Sequence, residues 1–314
     1  MIRMTVPTSL GMLPLMALLA LASIPTDAEA RQTACGSEVR AIEINKYTLH
    51  YFECGEGEPI VFVHGTTGDL NVFRTQAQTF ATRFRVISYS RRHHPPNAPP
   101  RARDVYALSA HVADLGALVK ELKATPAHLV AHSYGAYIAL ALAVDHPELV
   151  RSLVLGEPPI LPLLSRTAVG EATRQSWLRR VVEPTRKAFE SGNPEDGPRQ
   201  FLNGVCGPAC FDNAPQSVRT ELVEKQAPAL RAEMMTEMAA VMPPLDCGDL
   251  GKLKLPTLLV TGERSPAMFP LITAELERCL AGESPVMVPE AGHGMHSDNA
   301  VFYNEAVTAF LRRQ

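Results

Sequence analysis

The stretch 127–146, AHLVAHSYGAYIALALAVDH, constrains what this chain can fold into more than any other. An apolar β-type run, His128-Leu129-Val130-Ala131, meets His132-Ser133-Tyr134-Gly135 and passes directly into an Ala/Leu-rich segment of helical period. That order reads as strand, tight turn, helix. Ser133 lies at the turn with small residues two positions away on either side, Ala131 and Gly135, as a sharp elbow requires if backbones are to pass closely. Its hydroxyl would be held up and exposed, with the following N–H groups and the helix N-terminus aimed at any negative charge beside it. For a pattern this short, a buried serine in an ordinary βα turn is the competing reading. The rest of the chain has to discriminate.

Strands and helices alternate on both sides of the elbow. Residues 38–43 and 46–54 read as a β-hairpin joined at Asn45, and 59–63 as a short apolar strand ending in His64-Gly65-Thr66-Thr67-Gly68. A helix is expected over 71–83, a strand over 85–89, and a helix over 104–124, stopped by Thr125-Pro126. After the elbow come an apolar strand, 150–155, and Gly156-Glu157-Pro158-Pro159. From there to about residue 245 the alternation stops, and helices are expected over 166–191, 214–224 and 227–241, the last punctuated by Met234, Met235, Met238 and Met242. A polarizable methionine lining suits an apolar ligand, and core filling explains it equally. Alternation resumes with a strand at 255–261, a helix at 267–281, a strand at 284–289 and a closing helix at 299–313. The expectation is an α/β fold with a doubly wound, mostly parallel sheet of eight strands and an inserted helical segment. At 314 residues the chain can bury one such core and carry the insertion.

With these elements in order, Ala131-His132-Ser133-Tyr134-Gly135 resembles the nucleophile elbow of the α/β-hydrolase superfamily, G-x-S-x-G, with Ala131 at the first glycine position. The resemblance implies an α/β-hydrolase core over 31–158 and 246–314, with a helical cap at 159–245 inserted after the sixth strand. It also implies a serine nucleophile that needs a base and an orienting acid. The base candidate is His293 in Glu290-Ala291-Gly292-His293-Gly294-Met295-His296, on a Gly-flanked loop after the last strand, where the superfamily places its catalytic histidine; His296 is the local competitor. His64 and His132 flank key turns and read as structural or pocket-lining. The superfamily's usual acid follows the seventh strand in a G-x-x-D pattern, but Gly262-Glu263-Arg264-Ser265 puts Ser265 there, and a serine carries no charge to stabilise an imidazolium. Two substitutes exist, Glu157 directly after the sixth strand and Glu263 on the seventh-strand loop. A strand-six acid is similar to that of zearalenone-type lactonases, which favours Glu157. By the same resemblance the backbone N–H groups of Thr66 and Tyr134 are the oxyanion donors.

Residues 1–30 carry Arg3, an apolar run over 10–24 interrupted by Pro14, and Ala28-Glu29-Ala30, which together read as a signal peptide cut after Ala30, with a lasting membrane anchor as the weaker alternative. Periplasmic or secreted localisation follows. All six cysteines lie beyond that cut, and an even number in an exported chain is compatible with disulfides. Cys206 with Cys210, Cys35 with Cys54 and Cys247 with Cys279 form the neatest set, although sequence cannot choose the connectivity. Lys+Arg 30 against Asp+Glu 33 gives a net charge of -3 and no reason to expect nucleic acid or an acidic membrane as partner. Arg91, Arg92, His93 and His94, after the fourth strand, could recognise a carboxylate or phosphate, or equally form a loop that pairs with cap acids. No cofactor or metal pattern is present. The expected activity is hydrolysis of a small-molecule carboxylic ester or lactone through Ser133, His293 and Glu157 (or Glu263). The Ser nucleophile argues against an epoxide hydrolase or dehalogenase. A noncatalytic ligand-binding relative is the alternative of another class, and cleavage of C–C or peptide bonds by the same machinery is a further one.

Overall fold

The computed structural model describes residues 35–101, 104, 106–280 and 284–314, so the expected signal peptide lies outside the described residues. Strands β1 (Arg40–Ile44) and β2 (Tyr47–Cys54) form the expected hairpin, turned through Asn45 and Lys46, both at positive φ. β3 (Pro59–Val63), β4 (Arg85–Tyr89), β5 (Ala127–His132), β6 (Val150–Gly156), β7 (Thr257–Gly262) and β8 (Val286–Val288) complete one sheet in the order β1-β2-β4-β3-β5-β6-β7-β8. β2 runs antiparallel to both its neighbours, and all later pairs are parallel. The strand order reverses around β3, so the C-terminal ends of β3, β5, β6 and β7 share one edge, the usual ligand site of an open parallel sheet.

The central strands are largely apolar because both sheet faces are covered, with Ser88, His128 and Ser152 as buried polar exceptions. Val61, Val63, Leu129, Ala131, Leu153 and Leu155 pack with helices α1 (Leu108–Glu121) and α2 (Tyr134–Asp145) on one face. Ile60, Phe62, Val130 and Val154, one residue out of phase, pack on the other with the closing helix (Ala300–Leu311). Helix α2 is buried along nearly its whole length, which matches its lack of a polar stripe.

Between β6 and β7 the structure is helical, and several bounds differ from expectation. The 166–191 helix is Ala168–Trp177 and Glu183–Glu190 joined by a π-helical stretch, Leu178–Val182. The 214–224 helix is Gln216–Glu221, which passes through a second π-helical stretch, Leu222–Gln226, into the next. The expected 227–241 helix stops at Met235, because Thr236 and Glu237 are extended, and resumes only for Met238–Val241. A helix over Asp196–Cys206 was not expected; Gly197, Pro198 and Gly204 in its sequence argue against one, and packing against Val181 and Phe189 overrides that propensity. The 104–124 and 71–83 helices are shorter, Leu108–Glu121 and Arg74–Phe80. The cysteines pair as Cys35–Cys54, Cys206–Cys210 and Cys247–Cys279.

Candidate active site

Ser133 stands between β5 and α2 with φ 53 and ψ −127, a backbone conformation that costs a non-glycine residue roughly 1–3 kcal/mol and collects at functional sites. The elbow is tight enough that a Cβ on Gly135 would lie 2.2 Å from the Val63 carbonyl oxygen, so no other residue fits there. Ser133 N–H donates to the Gly156 carbonyl at 2.7 Å, fixing the elbow to the end of β6.

The residue directly after β6 is Glu157, also at positive φ (48°) and fully buried. Its N–H bonds the Val260 carbonyl of β7, which turns its side chain toward that strand's end. Oε1 accepts from the Thr261 hydroxyl at 2.7 Å and the Gly262 N–H at 2.9 Å. Oε2 lies 2.6 Å from Nδ1 of His293, which donates to it. The carboxylate therefore has a full set of donors without water, as a buried charge requires. Gly262 lets the His293 loop come close, since a Cβ there would meet the Gly292 carbonyl oxygen at 2.2 Å. With Nδ1 holding its proton for Glu157, His293 Nε2 is left as an acceptor.

Glu263 is elsewhere. Its Oε2 accepts the Glu290 N–H at 2.7 Å and shapes the loop that carries His293. The Ser265 hydroxyl is buried without a partner. Phe269, which sequence reasoning did not single out, stacks flat on the His293 ring at 3.8 Å between centroids. His132 donates from Nε2 to the His293 carbonyl at 2.7 Å, and burial together with His293 and His296 holds it neutral, well below its ordinary range. Burial likewise lowers His296, to about 4.

Ser133 lines two adjoining cavities. One, shared with His293, His132 and Gly65, is the more open. The other runs under the inserted helices and is mostly apolar, with Trp177, Phe201, Val241 and three of the four punctuating methionines, Met234, Met238 and Met242, in its wall; Met235 faces solvent. Thr66 lines both. Its hydroxyl donates to Glu233 of the inserted helix Ala227–Met235 at 2.9 Å, and the Tyr134 hydroxyl donates to the Val241 carbonyl at 2.8 Å, so the insertion is fastened to the loop after β3 and to the first residue of α2.

The basic loop does not face a ligand. Arg91 is buried and donates to the carbonyls of His64 and Gly65, both at 2.9 Å, and to the Tyr106 hydroxyl at 3.0 Å, which pins the loop bearing Thr66. His64 Nε2 accepts the Arg91 N–H, and burial beside that guanidinium keeps the ring neutral. Arg92 forms two 2.8 Å bonds to Asp114 of α1, an acid of the core and not of the insertion, and lies over the Tyr47 ring. His93 meets the Tyr47 hydroxyl and His94 that of Tyr106. The sequence signal for Arg91 was only its address after β4; nothing in it announced burial.

The model of the Alpha/beta hydrolase family matches residues 60–306. The uncharacterized hydrolase YraK of Bacillus subtilis is 30% identical over 131 residues, which are 42% of this chain and 48% of YraK, so the match spans about half that relative. The 2-(acetamidomethylene)succinate hydrolase of Mesorhizobium japonicum is 25% identical over 291 residues, covering 87% of this chain and 94% of that protein. Among solved structures, a thermophilic esterase from Thermogutta terrifontis superposes with a TM-score of 0.69 at 22% identity, covering 88% of this chain and 98% of the esterase; at that identity the likeness is one of fold.

Proposed function

The chain belongs to the alpha/beta hydrolase family, and from that premise we propose that it is an exported serine hydrolase that cleaves a carboxylic ester or lactone. Ser133 Oγ attacks the carbonyl carbon while His293 Nε2 takes its proton. Glu157 holds the resulting imidazolium through Nδ1. The N–H groups of Thr66 and Tyr134 receive the oxyanion, His293 returns the proton to the leaving alkoxide, and water repeats the sequence on the acyl-enzyme. The observation that carries this reading is the buried 2.6 Å contact between Glu157, after β6, and His293, on the loop after β8, with Ser133 at the end of β5 beside β6. The strained φ at Ser133 and Glu157 supports it, because such backbone is retained where a site depends on it.

Two cavities meeting at Ser133 suit a substrate with an apolar part under the insertion and a more polar part facing His293. Three disulfides support export, and no helix among the described residues is long and apolar enough to cross a membrane. The test is turnover of a panel of 4-nitrophenyl acyl esters and of five- to seven-membered lactones by the protein and by Ser133→Ala. Turnover of at least one substrate class that falls by about a thousandfold or more in the variant supports the reading. Binding of panel members without turnover would favour a noncatalytic ligand-binding protein.

A further inference from the structure

Phe269 lies face to face with the imidazole of the proposed base, and no step above uses it. It is the second residue of the helix Met268–Leu280, and its N–H donates to the Pro266 carbonyl at 3.0 Å. Its ring centroid is 3.8 Å from that of His293, with 13° between the planes. The next closest ring pairs among the described residues, Tyr106 with His111 and His132 with His293, are at 4.6 Å and tilted. Two neutral aromatic rings favour edge-to-face or offset contact with centroids about 4.5–7 Å apart, because their π faces repel. A positive charge, in contrast, is attracted to such a face within about 6 Å, most strongly where water is excluded. Phe269 is 1% exposed and His293 6%, so the pair is dry. Trp177, at the end of the inserted helix Ala168–Trp177, meets Phe269 edge to face with centroids 6.0 Å apart, and both rings line the cavity under the insertion.

We infer that Phe269 is a positioning residue for His293, holding the imidazole flat and stabilising the positive charge that the ring acquires when it takes the Ser133 proton. The inference rests on the proposed serine hydrolysis, in which that imidazolium forms. Glu157 acts on the same charge through Nδ1 at 2.6 Å, in the plane of the ring, and Phe269 acts on it across the ring face. His132, at the end of β5, and His296, three residues along the chain, also face His293, and burial holds both of them neutral, so neither offers it a charge. A role in packing alone predicts the opposite sign for a substitution. A smaller aliphatic side chain at 269 opens a gap beside the imidazole, and water entering that gap favours the charged ring, whereas loss of the π face disfavours it.

The test follows the pH at which His293 takes its proton, by nitrogen NMR of the histidine-labelled protein, a reading that needs no turnover. In Phe269→Leu the proton should bind about three- to thirtyfold more weakly, which moves the midpoint down by about 0.5–1.5 pH units. Phenylalanines carrying one, two and three fluorine atoms, placed at 269, keep the shape of the ring while draining its π face, and should lower the midpoint stepwise; they also decide the matter if Phe269→Leu does not fold. For an ester that the wild type turns over, kcat should fall by up to the same factor with KM little changed, and the acid limb of the pH profile should move down with the midpoint. An unchanged or raised midpoint in Phe269→Leu, or a fluorinated series without a trend, overturns the inference. Turnover by the wild type together with an unmoved midpoint leaves the hydrolase reading standing and this one refuted. A midpoint that falls with each fluorine in a protein that turns over no ester does the reverse, since the stabilised imidazolium is then present and the hydrolysis is not.

Discussion

Replacing Glu157 by Gln changes one atom's chemistry at a site where the geometry leaves no latitude. The amide oxygen can keep the Thr261 and Gly262 donors, which puts the new NH2 group where Oε2 now accepts from His293. Two donors then face each other. The imidazole relieves the clash by carrying its proton on Nε2, the atom that has to receive the Ser133 proton. The lost charge interaction has a size: with charge centres about 4 Å apart and an effective dielectric of about 20, carboxylate and imidazolium attract by about 4 kcal/mol, or about a thousandfold in rate. The wrong tautomer adds to this, so kcat for a 4-nitrophenyl ester should fall about 10³- to 10⁴-fold, with KM changed far less. Glu263→Gln retains an acceptor for the Glu290 N–H and should stay within about threefold of wild type. Steady-state kinetics on the two variants, with circular dichroism to show that both fold, is the assay. Near-wild-type turnover by Glu157→Gln, or an equal loss in Glu263→Gln, would refute the assignment of the acid.

Arg91→Leu leaves the buried carbonyls of His64 and Gly65 without their donor and should lower stability by about 2–4 kcal/mol in urea denaturation; kcat should fall with it, because the Thr66 loop is no longer pinned, and Arg91→Lys should rescue neither fully since one ammonium cannot span three acceptors. His296 supplies a pH dependence of definite sign: above pH 6.5 its ring is neutral whether folded or unfolded, and between 6.5 and about 4 only the unfolded chain takes a proton. Stability therefore falls as the pH falls through that window, by about 3 kcal/mol from this residue alone, and His296→Phe should flatten the profile of denaturation midpoint against pH by a comparable amount. A variant profile parallel to the wild type would remove His296 from that account.

The alternation of apolar runs with helical periods made the sheet legible in the sequence, because each central strand is buried on both faces and is therefore largely apolar. The elbow was legible for a similar reason, since its small residues answer a steric demand that Gly135 meets with no room to spare. The helical insertion was read less well. Its bounds depend on packing against residues far away in sequence, such as Val181 and Phe189 beneath Gly204 and Gly197, and no local pattern carries that information. The same holds around the candidate site. His293 and Glu157 follow strands and could be located by counting, whereas Phe269, Arg91 and Glu233 owe their positions to tertiary folding. Arg91 even looked like a solvent-facing or ligand-facing cation, because a sequence does not show that its guanidinium will be enclosed by backbone carbonyls.

The proposed chemistry passes through one hydroxyl, that of Ser133. The most direct measurement is mass spectrometry of the protein after exposure to a fluorophosphonate, which captures a serine only when a neighbouring base activates it. The account predicts one adduct, located on the peptide containing Ser133, absent from Ser133→Ala and strongly slowed in Glu157→Gln. An unlabelled wild-type protein, or an adduct on any other residue, would contradict it.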